Sequence, residues 1–519
     1  MNVIILVDNS HVLQPQKGVI ILKLQKLLES IEKFIVSSNI TPELREQEIL
    51  HISNHSKNLK GNTLFICRAG TKFDSHTIVD SLYATGQVVL FVTERPINNH
   101  LPYVQVYDSR LAEAYLADTF YEQPYKHLIT FGVTGTNGKT TCAHLFHHVM
   151  LQFGLNGSLT GTVINDILGD KFYSHNTTPD ALTLMENMYR TYRNGGSFYS
   201  MEVSSHSLDQ ARVETIRFDI AGLTNITRDH LDYHPTFEHY VKAKMHLFDL
   251  LKDDGVAVIN EDYVGYLNGR RLPRLVTFGV SEKANYRIEN VNTSLNGTVF
   301  ELRTPHGKKE VYTQLIGEYN AFNATLVLAG LVEIGYEIDE VINYIASFRG
   351  VDGRFELIPE ARKLGIEVVI DFAHSPDALE KVITSARKLA KGRLIVVYGA
   401  GGQADRGKRP LMAEIVTKLA DIAILTTDDP RGEDPEEIIR EVEIGVQPGS
   451  LSLTVLDRRE AIETAITLAT KGDFVLITGR GHEPYQIFSD TLKIPFKDRD
   501  VALDIILSKI NKNHSYKNV

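Results

Sequence analysis

The chain has 519 residues, more than three times the ~150-residue prior for one domain, so several domains are expected, most simply three. Hydrophobic residues at 43% and charged residues at 23% exclude wholesale disorder, and two cysteines, Cys67 and Cys142, exclude a disulfide framework or a thiolate metal site and fit a reducing compartment. With 55 Lys plus Arg against 65 Asp plus Glu, the net charge of -10 gives no general attraction to nucleic acid or anionic membrane, so a phosphate-bearing ligand has to be held by local groups.

The opening run Met1 to Asp8 has no basic flank and stops at Asp8, which argues against a signal peptide. No later segment reaches the ~20 apolar residues of a spanning helix, so a cytoplasmic protein is expected. In residues 1–125, short apolar stretches at Thr63 to Ile66 and Val88 to Val92 read as strands of a first α/β domain. A central domain over 126–349 opens with a strand (Leu128 to Val133), a Gly-rich turn and a helical run (Lys139 to Phe153), and continues with strands at Phe198 to Val203, Phe218 to Leu223 and Val256 to Ile259.

After Gly350-Val351-Asp352-Gly353, apolar runs at Ile366 to Ile370, Leu394 to Tyr398, Ile422 to Leu425, Leu453 to Leu456 and Phe474 to Ile477 alternate with helical stretches. These lie at Asp377 to Leu389, Pro410 to Leu419, Glu436 to Val442 and Arg459 to Ala469. That alternation predicts a mostly parallel, Rossmann-like sheet over 350–519, covered on both faces. Ligands of such sheets sit beyond the strands' carboxyl ends, which points to Asp371 to Ser375, Gly399 to Arg409, Thr426 to Arg431 and Thr478 to Glu483.

Gly135-Thr136-Asn137-Gly138-Lys139-Thr140-Thr141 lies between a strand and a helix, where backbone N–H groups cradle phosphate, Lys139 reaches a terminal phosphate and Thr140 can ligate Mg²⁺. The strict P-loop spacing asks for glycine at Val133; the nearby glycines are Gly132 and Gly135. Taken with further segments in chain order, this loop resembles the Mur ligase family of ATP-dependent amino-acid ligases, and within it the branch that adds the third peptide residue. The segments are Asn176 to Pro179, Met201 to His206, Asn225 to His234, Gly317 to Asn323, Gly353 to Glu356, Asp371 to His374, Thr427 to Arg431 and Gly479 to Glu483.

The resemblance implies a three-domain fold: an N-terminal UDP-sugar-binding α/β domain, a central P-loop ATPase-like domain and a C-terminal Rossmann-like domain. It implies a reaction in which ATP phosphorylates a carboxylate of UDP-N-acetylmuramoyl-L-alanyl-D-glutamate and an amine captures the acyl phosphate, in peptidoglycan synthesis. A γ-phosphate and a carboxylate repel, so cations have to neutralise the site. The resemblance gives Thr140, Glu202, His230 and Lys244 to Mg²⁺, the last as a carbamate, because an ammonium has no lone pair for a metal. It gives Asn320 to adenine, Arg354 to the phosphates, Asp371 and His374 to the nucleoside, and Asn176, Thr177, Thr178, Ser204, Gln210 and Arg212 to the UDP-sugar peptide.

In the family an Asp-Ser-Arg segment of the first domain holds uridine; the aligned triplet here is His55-Ser56-Lys57, which keeps only Ser56. The incoming amino acid is read by Asp428-Asp429-Pro430-Arg431 with Gly479 and Glu483. Arg431 for a distal carboxylate and Glu483 for an ammonium favour meso-diaminopimelate over lysine. Asp429 stands where the family has Asn, and Ala404 where it has an Arg that grips the amino acid, with Arg406 as its expected substitute. A monomer acting on these small substrates is expected. A divergent paralogue joining another carboxylate and amine, and a catalytically silent nucleotide-binding partner, stay open at this point.

Overall fold

A computed structural model describes residues 20–70, 73–173 and 176–517; Met1 to Asp8 lies outside the described residues. Two compact units form: one from the residues up to Leu128 with Asp180–Ser197 and Gln210–Ile216, the other from Ile129–Pro179, Phe198–Asp209 and the chain from Arg217 on. The break at Leu128 falls three residues past the expected end of the first domain, and two later segments join that unit.

In the first unit the strands run in the order Ile35–Ser38, Tyr103–Val106, Val88–Thr93, Thr63–Ile66, His51–Ser53, parallel except at Ile35–Ser38. Thr63–Ile66 is buried along its whole length, as a continuous apolar run in a parallel strand should be. The helix Leu24–Ile31 buries Leu24, Leu27, Leu28 and Ile31, a single 3.6-period stripe, against the helix Ser109–Phe120. The Asp108 carboxylate caps the latter by accepting from the N–H groups of Arg110 and Leu111.

The second unit holds two sheets. Seven strands of the larger are parallel, in the order Gly157–Thr160, Phe198–Glu202, Ile129–Thr134, Phe218–Leu223, Leu251–Asn260, Arg274–Gly279, Tyr286–Ser294. Antiparallel strands extend both edges, Asn165–Ile167 and Asp170–Phe172 at one, Gly297–Thr304 and Gly307–Thr313 at the other. The helices Lys139–Gln152, Tyr319–Glu333 and Ile338–Ser347 share a core with this sheet. Its strands Ile129–Thr134 and Phe198–Glu202 lie side by side, so the loops after both open at the same carboxyl edge.

The smaller sheet has the order Glu356–Leu357, Glu367–Asp371, Phe474–Thr478, Leu394–Tyr398, Ile422–Leu425, Ser452–Thr454, parallel apart from the first strand. Strand alternation divides its core in two. Val369, Val396, Leu425 and Leu476 pack with the helices Pro376–Leu389, Lys408–Leu419 and Pro435–Glu443. Val368, Val397, Ile424 and Val475 pack with Arg458–Leu468 and Asp498–Lys517. This is the doubly covered Rossmann-like arrangement read from the sequence.

A fully buried ion pair ties the second face to a strand-end loop. Arg458 donates to Asp498 at 2.8 and 2.7 Å and to the Thr478 carbonyl at 2.8 Å. Removing one partner of such a pair strands the other charge. Asp498→Ala is therefore expected to destabilise the chain by about 3–5 kcal/mol, read as a lower urea midpoint.

Candidate active site

Two glycines shape the phosphate loop. Gly135 and Gly138 have φ of +146° and +90°, and a Cβ there would lie 1.9 Å from Thr224 Oγ1 and 2.5 Å from Asn323 Oδ1. Helix Lys139–Gln152 starts directly after, so its free N–H groups face the loop. Lys139 Nζ donates to the carbonyls of Gly135 and Thr136, both at 2.9 Å. Burial pushes its ammonium below the usual lysine range, against the pull of Glu202 and Asp229. Thr136 is fixed by Tyr240 and the Thr227 carbonyl at 3.0 and 3.1 Å, and Asn137 Nδ2 donates to Asp377 of the Rossmann-like sheet's first helix at 2.7 Å.

Glu202, fully buried at the end of its strand, accepts from Thr140 Oγ1 at 2.9 Å, from the Thr162 N–H at 2.7 Å and from Thr162 Oγ1 at 3.2 Å. Arg354 donates to Thr140 Oγ1 at 3.1 Å, its guanidinium lying 4.6 Å from the centre of the Phe372 ring. Three side chains expected at the phosphates and metal, Thr140, Glu202 and Arg354, thus meet at Thr140 Oγ1, with Lys139 near enough to feel the charges of Glu202 and Arg354. Thr162 is an additional member that no motif announced.

Beside this point lies a cavity of about 550 Å³, within the size range of small-molecule pockets. Asn137, Gly138 and Thr141 line one wall, Asn320, Asn323 and Phe278 another, and Arg354, Asp371 and His374 a third. Asn320 is held by the Ile316 carbonyl at 2.8 Å and Asn323 donates to its Oδ1 at 2.9 Å. Asp371 is less free than a nucleoside contact would suggest: its oxygens accept from the N–H groups of Phe355 and Ala373, both at 2.7 Å. Burial, then Lys408, pushes the His374 imidazole down to about 4, so it is neutral at pH 7.

Lys244 is buried in helix Phe237–Met245, its Nζ 2.8 Å from the Gly135 carbonyl and 4.5 Å from the centre of the Tyr240 ring. Burial first, then the charge of Lys139, pushes it well below the usual lysine range. Its charged form is therefore disfavoured relative to an exposed lysine. His230 has φ +55°, and its ring meets that of His206 edge to face at 4.9 Å. Asp229 is half-buried beside it, and against the effect of desolvation His230, Lys408, His374 and Lys139 hold its carboxyl below the usual range.

The residues expected at the UDP-sugar peptide fall on both units. In the second, Thr178 Oγ1 donates to the Glu202 carbonyl at 2.9 Å and to Ser204 Oγ at 3.3 Å, Thr177 accepts from Thr162 at 3.1 Å, and Asn176 is exposed. In the first, Arg212 donates to Gln210 Oε1 at 2.6 and 3.1 Å, and Ser56 begins a 3₁₀ turn just past the carboxyl end of strand His51–Ser53. Near that turn the sequence reading missed a buried Glu113, which pairs with Arg68 and accepts from Asn54 at 3.1 Å. Burial pushes its carboxyl up to about 7, against the pull of Arg68.

The strand-end loops of the Rossmann-like sheet converge, as glycine contacts show: a Cβ on Gly402 would lie 1.8 Å from the Pro430 carbonyl oxygen, and one on Gly479 2.3 Å from Asp428 Oδ2. Asp429 is buried against Arg480, and Arg431, with φ +52°, approaches it at 3.6 Å. Glu483 lies 3.7 Å from Arg480, and burial, then Asp429 and Asp428, pushes its carboxyl up to about 8. Arg406 is occupied by Glu433 at 3.1 Å and Glu441 at 3.6 Å. It stands in the loop cluster but its charge is already paired.

A P-loop strand–turn–helix, an acid and a threonine at adjoining strand and helix ends, and an arginine entering the Rossmann-like sheet that reaches that threonine define a nucleotide-dependent enzyme. Residues 133–331 match the Mur ligase middle domain, and residues 353–481 the Mur ligase glutamate ligase domain. The UDP-N-acetylmuramoyl-L-alanyl-D-glutamate--2,6-diaminopimelate ligase of Geobacillus thermodenitrificans is 40% identical over 491 residues, 93% of this chain and 98% of its own length. That of Thermosynechococcus vestitus is 36% identical over 494 residues, 93% and 99% of the two chains. A solved structure of a ligase of that name superposes with a TM-score of 0.66 at 30% identity, covering 94% and 99% of the two chains. The chain belongs to the Mur ligase family, and its three-domain α/β fold is the family's.

Proposed function

We propose that the chain adds meso-diaminopimelate to UDP-N-acetylmuramoyl-L-alanyl-D-glutamate with hydrolysis of ATP to ADP and phosphate, in peptidoglycan precursor synthesis. The observation that carries this is the meeting of Thr140, Glu202 and Arg354, with Lys139 on the adjoining phosphate loop, beside a nucleotide-sized cavity, in a chain whose relatives bear that activity's name. In this reading residues 1–125 take the UDP-sugar through Ser56, 126–349 take ATP, and 350–519 take the amino acid.

The γ-phosphorus of ATP bonds to the substrate carboxylate oxygen as its bond to the β-bridging oxygen breaks. The amine nitrogen then attacks the acyl carbon, losing a proton, and phosphate leaves. Lys139 and Arg354 stabilise charge on the transferring phosphoryl group, while the loop N–H groups orient it. Thr140 and Glu202 present hard oxygens 2.9 Å apart, a donor type that fits Mg²⁺. With His230 and Lys244 they would hold the ions, which supply charge neutralisation between phosphate and carboxylate oxygens. Burial disfavours the Lys244 ammonium, and the neutral amine form would add CO2, forming an N–C bond and releasing a proton, to give an anionic carbamate with oxygen ligands for a metal. Thr177, Thr178, Ser204, Gln210 and Arg212 receive the sugar peptide in this scheme, and the protein works as a cytoplasmic monomer.

The test is phosphate release from ATP, Mg²⁺ and the UDP-dipeptide with a panel of amino acids; meso-diaminopimelate should be the best substrate, and no release with any member sinks the reading. Arg431→Ala is expected to raise KM for diaminopimelate about tenfold or more while KM for ATP holds, because a guanidinium–carboxylate contact is lost. A divergent paralogue using another amine is favoured only by the pairing of Arg406 with Glu433 and Glu441, and the same panel decides it.

A further inference from the structure

Asp209, His234 and His239 stand apart from the groups given roles above. Among the described residues they form a set whose donor atoms all lie within 4.8 Å of one another. Three separate elements supply them. Asp209 closes the helix Ser205–Asp209, His234 sits in the following loop, and His239 lies in the first turn of Phe237–Met245.

The Nδ1 atoms of His234 and His239 face each other at 3.0 Å, and His239 Nε2 is 3.6 Å from Asp209 Oδ1. Tyr233 donates to the other Asp209 oxygen at 2.7 Å, which orients the carboxylate. His234 is fully buried, and its Nε2 has no hydrogen-bond partner. Two imidazoles meeting through the same nitrogen require opposite tautomers if a proton joins them. A cation removes that requirement, since both nitrogens then present lone pairs. Tetrahedral Zn²⁺ with Zn–N of about 2.0–2.1 Å spaces two nitrogens by about 3.3 Å, within a few tenths of what is seen. Asp209 lies nearer the other ring nitrogen of His239, so its exposed carboxylate has to turn toward the Nδ1 pair to complete the set, a distance within 4.8 Å for one donor atom of each residue.

We infer that Asp209, His234 and His239 bind a borderline divalent cation, Zn²⁺ in preference to Mg²⁺, at a site distinct from the phosphate-side metal positions. Two imidazoles and one carboxylate are the donor set that selects such an ion, whereas Mg²⁺ takes oxygen. The bound ion would clamp the end of helix Ser205–Asp209 to the helix that carries Lys244.

The experiment uses Co²⁺ as a visible reporter, titrated into the full-length chain in millimolar Mg²⁺. One equivalent should produce d–d absorption that Zn²⁺ abolishes by displacement, and Zn²⁺ should raise the thermal transition. His239→Ala and Asp209→Asn, at exposed positions, should lose the band, weaken Zn²⁺ binding by at least about tenfold and lose the thermal shift, whereas Glu202→Gln keeps all three. The inference is overturned by absence of a stoichiometric band, by bands and affinities unchanged in both variants, or by a band that disappears in Glu202→Gln. Because the readout needs no substrate, it stands or falls independently of the ligase reaction.

Discussion

Alanine at Lys139 is expected to lower ligase turnover by about 10³-fold, with the chain still folded. The lysine is half-buried at the start of its helix, and its ammonium donates to the loop carbonyls of Gly135 and Thr136. Those carbonyls lose little when it goes, because the loop is held independently by Thr136 with Tyr240 and by Asn137 with Asn225 and Asp377. A desolvated cation beside Arg354 is also a cost to folding, so the thermal transition should hold or rise. The loss should appear in kcat more than in KM for ATP, since charge on the transferring phosphoryl group builds in the transition state. Phosphate release and thermal unfolding, measured together, check both halves. Full activity in the variant would place the phosphate site elsewhere.

The loop at 135–141 was legible because chemistry there depends on local order: a glycine at each strained φ, then a lysine at the helix start. The Rossmann-like strands were legible for a related reason, since strands buried on both faces are unbroken apolar runs such as Leu394 to Tyr398. Less visible was the antiparallel edge of the larger sheet. Tyr286–Ser294, which leads into it, buries only Tyr286 and Ile288, and Asn, Thr and Ser occupy much of its second half, so the apolar signal is thin. Helix Tyr319–Glu333 is apolar nearly all round because sheet and helices enclose it, which erases the one-sided stripe that marks a surface helix.

Contacts across long sequence separations were beyond reach. Thr162 on Glu202, Asp377 on Asn137 and the burial of Glu113 against Arg68 follow from topology, with no spacing to announce them. Arg406 shows the converse: proximity in sequence to Ala404 made it the expected substitute, but Glu433 and Glu441, brought over by the next loop and helix, already neutralise it. The net charge of -10 is compatible with polyanionic substrates for the same reason. Topology gathers Lys139 and Arg354 near one point, while cations such as Arg406 and Lys252 are paired with carboxylates elsewhere.

Lys244→Met is expected to abolish at least about 99% of activity and yet stabilise the chain at neutral pH, the loss being that of a metal ligand. The opposition follows from one fact: burial and Lys139 hold the Lys244 ammonium well below its ordinary value of 10.5. Between the folded and ordinary values the unfolded chain binds a proton that the folded chain does not, so this group makes stability rise with pH across that window. In CO2-depleted buffer the wild type should show that rise, and methionine should flatten its share of the slope and raise the transition most at the acid end of the window. Activity gives the complementary reading. If the working species is the carbamate, wild-type turnover falls in CO2-depleted buffer and returns on adding bicarbonate, while Lys244→Met responds to neither. Wild-type activity indifferent to CO2 would remove the carbamate from the scheme and leave Lys244 as a donor to the Gly135 carbonyl.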